Sequence, residues 1–322
     1  MSIIAVLLVI LLVFVVLSVV AGVFFLRMVL RGKPERKEIM SSPLLCFDKP
    51  VQDKPESIQF IENRTRLRAE GAEFDATLSK VQIVNKDGLK LYGYYKFAEV
   101  PTHKWIISIH GYKDDHRFML PYIKNFYEHG FNVFTQDNRA HGLSDGAYIS
   151  MGWHDKDDVY EWIDCIVRMD PEAQVVVHGI SMGGATTMML SGLNHPAVIG
   201  YIEDCGYTTT WDIFKTVINR DYHLPTFPIM HVCRILSNII MKYDYKKSSS
   251  LKQMEKCTKP FLFIHGEEDG FVPLWMGQKN YDSYQGRKEL YIAPKAGHAE
   301  SMDYYPETYF DKVYSFIDSL AL

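Results

Sequence analysis

The sequence predicts an α/β protein: a mostly parallel, doubly wound sheet with one helical insertion, preceded by a single apolar helix. Three observations predict it. Short apolar runs near residues 105–109, 131–135, 174–178, 198–203, 260–264 and 288–292 alternate with helical stretches, the pattern of strands joined by crossover helices. Two alternating runs, 81–84 and 89–95, flank Lys86-Asp87-Gly88, and Asp-Gly between such runs signals a hairpin. Gly179-Ile180-Ser181-Met182-Gly183 follows Val175-Val176-Val177 and leads into Ala185-Thr186-Thr187-Met188-Met189-Leu190, which reads as a buried strand, a sharp turn presenting a serine, and a helix.

Taken in order, the chain opens on an apolar run, Ile3 to Leu26, without a charged residue. At 1.5 Å per residue it is long enough to cross a hydrocarbon core of about 30 Å. A cleaved signal peptide would carry a basic start, so residues 3–26 are expected to be a single-pass anchor. Basic residues follow the run (Arg27, Arg31, Lys33, Arg36, Lys37) and none precedes it, which places the remainder of the chain on the cytoplasmic face. Asn63-Arg64-Thr65 is a glycosylation sequon, and it would matter only in the opposite topology. Residues 27–56, rich in Lys, Pro, Ser and Asp, read as a tether. Residues 57–70 form a short amphipathic helix on this pattern, packed on the domain that runs to residue 322.

Composition narrows the function. A net charge of −4 and 47% hydrophobic residues over 322 positions provide for one substantial core and give no electrostatic reason to expect nucleic acid. Five cysteines, Cys46, Cys165, Cys205, Cys233 and Cys257, show no paired spacing, so neither a disulfide framework nor a metal site is expected, and no cofactor.

Ser181 needs a base to remove its proton and a carboxylate to orient that base. Serines on such a turn are followed in the chain by the acid and then the histidine. The acid is expected in Pro260–Pro273, where an apolar strand runs into Glu267-Glu268-Asp269. Asp269 is the choice there, with Glu268 its rival. The base is His298, after Gly297 and just beyond the next strand. An oxyanion also needs donors, and these are assigned to the amides of Met182 and of Tyr112, which follows the strand Trp105–Ile109 and the turn His110-Gly111. His110 is expected to be a buried structural histidine.

In these motifs the chain resembles the α/β-hydrolase superfamily, nearest to serine hydrolases of the esterase, monoacylglycerol lipase and S33-aminopeptidase type. The resemblance rests on His110-Gly111, Asp137–Gly146, the Ser181 turn, His265-Gly266 with Asp269 and Val272-Pro273, and Gly297-His298, and covers roughly residues 80–322. Ala140 stands where such sequences usually have glycine. The resemblance implies that Asp137, Arg139 and His141 brace loops near the site. It also implies that the insertion at about 207–258 is a cap over the serine, with apolar residues such as Trp211, Phe214, Tyr222, Phe227, Met230 and Ile235. The implied activity is hydrolysis of a carboxylic ester, small or lipid-derived, through an acyl-serine. An aminopeptidase of the same fold would need a cap acid for the substrate amine, from Asp212, Asp221, Asp244 or Glu255. A non-catalytic, membrane-tethered binding module is the third expectation, disfavoured because all the motif positions are intact.

Overall fold

The computed structural model describes residues 2–32 and 55–320. Its frame is one sheet of eight strands in the order β1-β2-β4-β3-β5-β6-β7-β8. The strands are β1 (Ser79–Val84), β2 (Lys90–Lys96), β3 (Lys104–Ile109), β4 (Asn132–Asp137), β5 (Gln174–Ile180), β6 (Val198–Asp204), β7 (Phe261–Gly266) and β8 (Lys288–Ala293). β1 and β2 pair antiparallel and β2 joins β4 antiparallel, while all pairs from β4 through β8 are parallel. The hairpin turns where Asp-Gly signals it: Gly88 takes φ +79°, and the Asn85 side chain accepts from the amides of Asp87 and Leu89.

The central strands are continuous apolar runs because both of their faces are covered. In β5, Val176 and Ile180 point into one core and Val175 and Val177 into the other, as the two-residue period of a strand requires. The first face is covered by α2 (Pro55–Asp75), α3 (Leu120–Glu128) and α11 (Pro306–Asp318); Leu67, Ile123 and Phe316 meet Val176 and Ile202 there. The second is covered by α4 (Asp155–Met169), whose Trp162 and Ile166 pack on Trp105 and Ile107. The amphipathic helix expected at 57–70 is α2. It lies on the domain and buries Asn63, whose amide donates to the Asp303 carbonyl at 3.1 Å; the sequon asparagine is thus internal.

A third apolar cluster sits over the strand ends. It contains Met182, from the start of α5 (Met182–Ser191), and cap residues from α6 (Thr210–Asp221) and α7 (Thr226–Met241). It also contains Phe25, Leu26 and Leu30, buried to 6% exposure or less. They belong to α1 (Ile3–Leu30), which runs past Arg27. The chain then stays docked: Gly32 and Ile149 exchange backbone bonds across the segment, with Ala147 and Leu30 as acceptors. The expected boundary between anchor and tether at Arg27 therefore falls inside a packed helix, because Arg27 points outward while its neighbours Leu26 and Leu30 turn inward. Residues 33–54 of the expected tether lie outside the described residues.

Candidate active site

Ser181 sits between β5 and α5 with φ 58° and ψ −114°, a conformation that costs about 1–3 kcal/mol and persists only where the surroundings over-determine it. They do so here through packing. A Cβ at Gly179 would lie 2.3 Å from the Gly183 carbonyl oxygen, and one at Gly183 would lie 2.0 Å from the Ile109 carbonyl oxygen. The Ser181 amide donates to the Asp204 carbonyl at 2.8 Å, and its own carbonyl accepts from Ala185 at 2.9 Å. The hydroxyl is thus fixed at a helix N-terminus, where backbone donors have no intrahelical acceptor.

Three predicted residues meet here. His298 Nε2 lies 2.7 Å from Ser181 Oγ, and His298 Nδ1 lies 2.7 Å from Asp269 Oδ2. Asp269 is buried, while Glu268 beside it is exposed. The other carboxylate oxygen of Asp269 accepts from the amides of Phe271 and Val272, both at 2.8 Å. With Nδ1–H donating its hydrogen bond to Asp269, His298 Nε2 carries the lone pair that accepts from the serine hydroxyl. The arrangement can therefore draw the proton from Ser181 Oγ.

The loop after β3 lies against this line. The Cβ position of Gly111 is 3.5 Å from Ser181 Cβ, and Tyr112 and Met182 line the same cleft as Ser181. His110 is fully buried, donating from Nδ1 to the Gly111 carbonyl at 2.8 Å and accepting at Nε2 from Asn138 at 3.0 Å; burial lowers its pKa to about 4, so the ring is neutral. The polar loop after β4 braces this arrangement. His141 Nε2 accepts from the Lys113 amide at 3.1 Å, and Arg139 makes a buried two-pronged pair with Asp158 at 2.6 Å on each arm. Ala140 takes φ +64°, which accounts for the glycine more usual at that place.

The cleft above Ser181 measures about 730 Å³, counted with the part open to solvent. Of the cap residues expected to shape it, Phe214 and Tyr222 line it; Phe227 and Ile235 instead face outward, at 68% and 60% exposure. The sequence missed Ile213 and Val217 on α6, and it missed Met28 and Val29 on α1. The signal for the last two is the helical spacing of Gly22, Leu26, Val29 and Leu30, which continues one apolar stripe across Arg27.

Two groups of potential metal donors converge among the described residues, Cys205 with Asp269 and His298, and Asp115 with His116 and Asp137. In both, the atoms already bond one another or the backbone: Asp137 Oδ1 takes the His116 ring proton at 2.7 Å and Oδ2 the Leu143 amide at 2.8 Å. Cys165, Cys205, Cys233 and Cys257 are buried and unbridged.

Asp204 lies fully buried behind the serine, and burial pushes its carboxyl from 3.8 up to about 7. The folded chain then holds a proton that the unfolded chain releases above about pH 4, so stability falls as the pH rises from about 4 to about 7 and levels off beyond. Asp204→Asn is expected to remove that slope. Thermal melts should show Tm of the variant minus Tm of the wild type rising from pH 5 to pH 8; a difference that does not change with pH would place the proton elsewhere.

Similar proteins agree with this architecture. The sequence profile of the family described as serine aminopeptidase, S33, matches residues 101–204. The chain is 29% identical over 235 residues to the uncharacterized protein YqkD of Bacillus subtilis, covering 71% of this chain and 77% of that one. The solved esterase Pf2001 of Pyrococcus furiosus superposes with a TM-score of 0.62 at 24% identity, over 75% of this chain and 92% of its own. An acylaminoacyl peptidase of Pyrococcus horikoshii superposes with a TM-score of 0.56 at 18% identity, over 76% of this chain and 41% of its own. At such identities the two structures speak for the fold alone.

Proposed function

We propose that this chain, which has the α/β-hydrolase fold, is a serine hydrolase that cleaves carboxylic esters through an acyl-serine. The observation that carries the proposal is the single hydrogen-bonded line Asp269–His298–Ser181, at 2.7 Å per step, opening onto an apolar cleft. His298 Nε2 takes the hydroxyl proton as Ser181 Oγ bonds the ester carbon, and the carbonyl electron pair moves onto the oxygen, facing the amides of Tyr112 and Met182. The intermediate collapses by breaking the bond to the alcohol, which leaves with the proton from His298. Water, deprotonated by His298, then repeats the attack and frees the acid and the serine.

The cap favours esters over peptides with a free amine. Asp221 is the cap acid that lines the cleft, but Arg220 holds both its oxygens, at 2.5 and 2.9 Å. Asp244 is paired with Arg234 in the same way, Asp212 accepts from Thr208 at 2.6 Å, and Glu255 is exposed. No cap acid is left unpaired in the cleft to receive an ammonium group. The test is turnover of p-nitrophenyl esters against aminoacyl-arylamides: esters are expected to win by at least about 100-fold in kcat/KM, within the about 1–3 kcal/mol that a buried polar group left unsatisfied costs. Faster arylamide cleavage would turn the reading to an aminopeptidase.

α1 is long and apolar enough to cross a membrane, as a signal sequence also is. We read it as a retained anchor, because Phe25, Leu26 and Leu30 fill the cluster over the site. With Arg27 and Arg31 at the domain end of the span, the positive-inside rule supports a catalytic domain facing the cytoplasm.

A further inference from the structure

α1 does more than reach the cap. Met28 and Val29 form part of the wall of the cleft that contains Ser181. The loop that carries the Tyr112 amide grips the backbone at that point: the Tyr112 hydroxyl donates to the Val29 carbonyl, and Lys113 Nζ donates to the Met28 carbonyl at 3.2 Å. Nearly two turns earlier α1 lies on α7, where a Cβ at Gly22 would come within 2.9 Å of Val232 and the Cys233 thiol points to the Gly22 carbonyl at 3.6 Å.

Length fixes how this pair sits on a bilayer. From Ile3 to Leu17 every described side chain is exposed or half-buried, and Ser18 is the first buried one. That free stretch is about 22 Å long, against a hydrocarbon core of about 30 Å. A span of full depth therefore draws the part of α1 beside α7 into the membrane, and α7 presents Ile235, Ile239 and Ile240 there at 60%, 70% and 47% exposure. Isoleucines so exposed are costly in water and favourable in hydrocarbon.

We infer that the end of α1 is the acyl-chain wall of the active site, and that the substrate is the acyl ester of an amphiphile resident in the bilayer, entering along the seam between α1 and the cap. This rests on the serine-hydrolase reading above. The anchor positions the enzyme and also completes its pocket, so the cleft opens at the level of the lipid headgroups, with the ester carbonyl over Ser181 and the chain lying against Met28 and Val29.

The test uses the full chain in phosphatidylcholine vesicles, with p-nitrophenyl acetate and p-nitrophenyl palmitate as probes and Ser181→Ala as the blank. Val29→Trp fills the wall and is expected to lower the palmitate-to-acetate ratio of kcat/KM by about tenfold or more, on the scale of pocket discrimination by size. Val29→Ala is expected to shift the preferred chain length upward, and it guards against misfolding of the larger variant. Ile235→Asp with Ile239→Asp is expected to depress turnover of vesicle-embedded palmitate more than that of dissolved acetate. Ratios that all three variants leave unchanged would overturn the inference while Ser181-dependent turnover keeps the esterase reading. A shift with the Val29 variants but none with the isoleucine variants would make the substrate a dissolved acyl ester and overturn delivery from the bilayer. Turnover of neither ester that depends on Ser181 would overturn both.

Discussion

Ser181→Ala is expected to lower kcat/KM for a p-nitrophenyl ester by about four to six orders of magnitude, the range in which loss of a nucleophile leaves only binding and oxyanion stabilisation. The size of the effect follows from the geometry. Ser181 Oγ lies 2.7 Å from His298 Nε2 in the cleft, placed to lose its proton as it attacks. The fold should survive, because the turn is held by the close approach of Gly179 and Gly183 to neighbouring backbone and by the Ser181 amide and carbonyl, all of which alanine keeps. The measurement is steady-state hydrolysis by the two full-length proteins at matched Tm, with fluorophosphonate labelling as a second readout. A folded variant that retains a tenth of wild-type turnover, or that still takes the label, would remove Ser181 from the chemistry.

What the sequence shows and what it hides divide along a physical line. Strand positions are legible because a strand buried on both faces needs consecutive β-branched residues, as in Val175-Val176-Val177. The serine turn is legible because only glycine fits at 179 and 183. Asp269 and Glu268 could be ranked but not separated by composition, since both are carboxylates in one acidic turn; what separates them is that the amides of Phe271 and Val272 point at one of them. The docking of α1 was hidden for a different reason. Lipid and protein interior select the same side chains, so Phe25, Leu26 and Leu30 look identical in an anchor and in a core. A boundary drawn at the first charge cuts through a helix whose inward stripe continues past it. The neutralisation of Asp221 was in plain view as Arg220-Asp221, but adjacency in a helix does not ordinarily bring two side chains together, and only the structure shows that they meet.

The choice between the two acids gives the second large effect. Asp269→Asn is expected to cut kcat by about 10⁴ with little change in KM, whereas Glu268→Gln should stay within about twofold of wild type, as exposed substitutions usually do. The reason lies in who donates to Asp269. Two backbone amides, Phe271 and Val272, require an acceptor at Oδ1, so an asparagine must keep its carbonyl oxygen there and turn its NH₂ toward His298. A donor facing Nδ1 drives the imidazole proton to Nε2, and Nε2 can then no longer accept from Ser181, 2.7 Å away. The site keeps its shape and loses its base, so the loss should fall on kcat and on the rate of fluorophosphonate labelling alike, with Tm nearly unchanged. If Glu268→Gln were the damaging change, or if Asp269→Asn stayed within tenfold of wild type, the carboxylate that orients His298 would have to be sought elsewhere, and the buried Asp204 would be the next to replace.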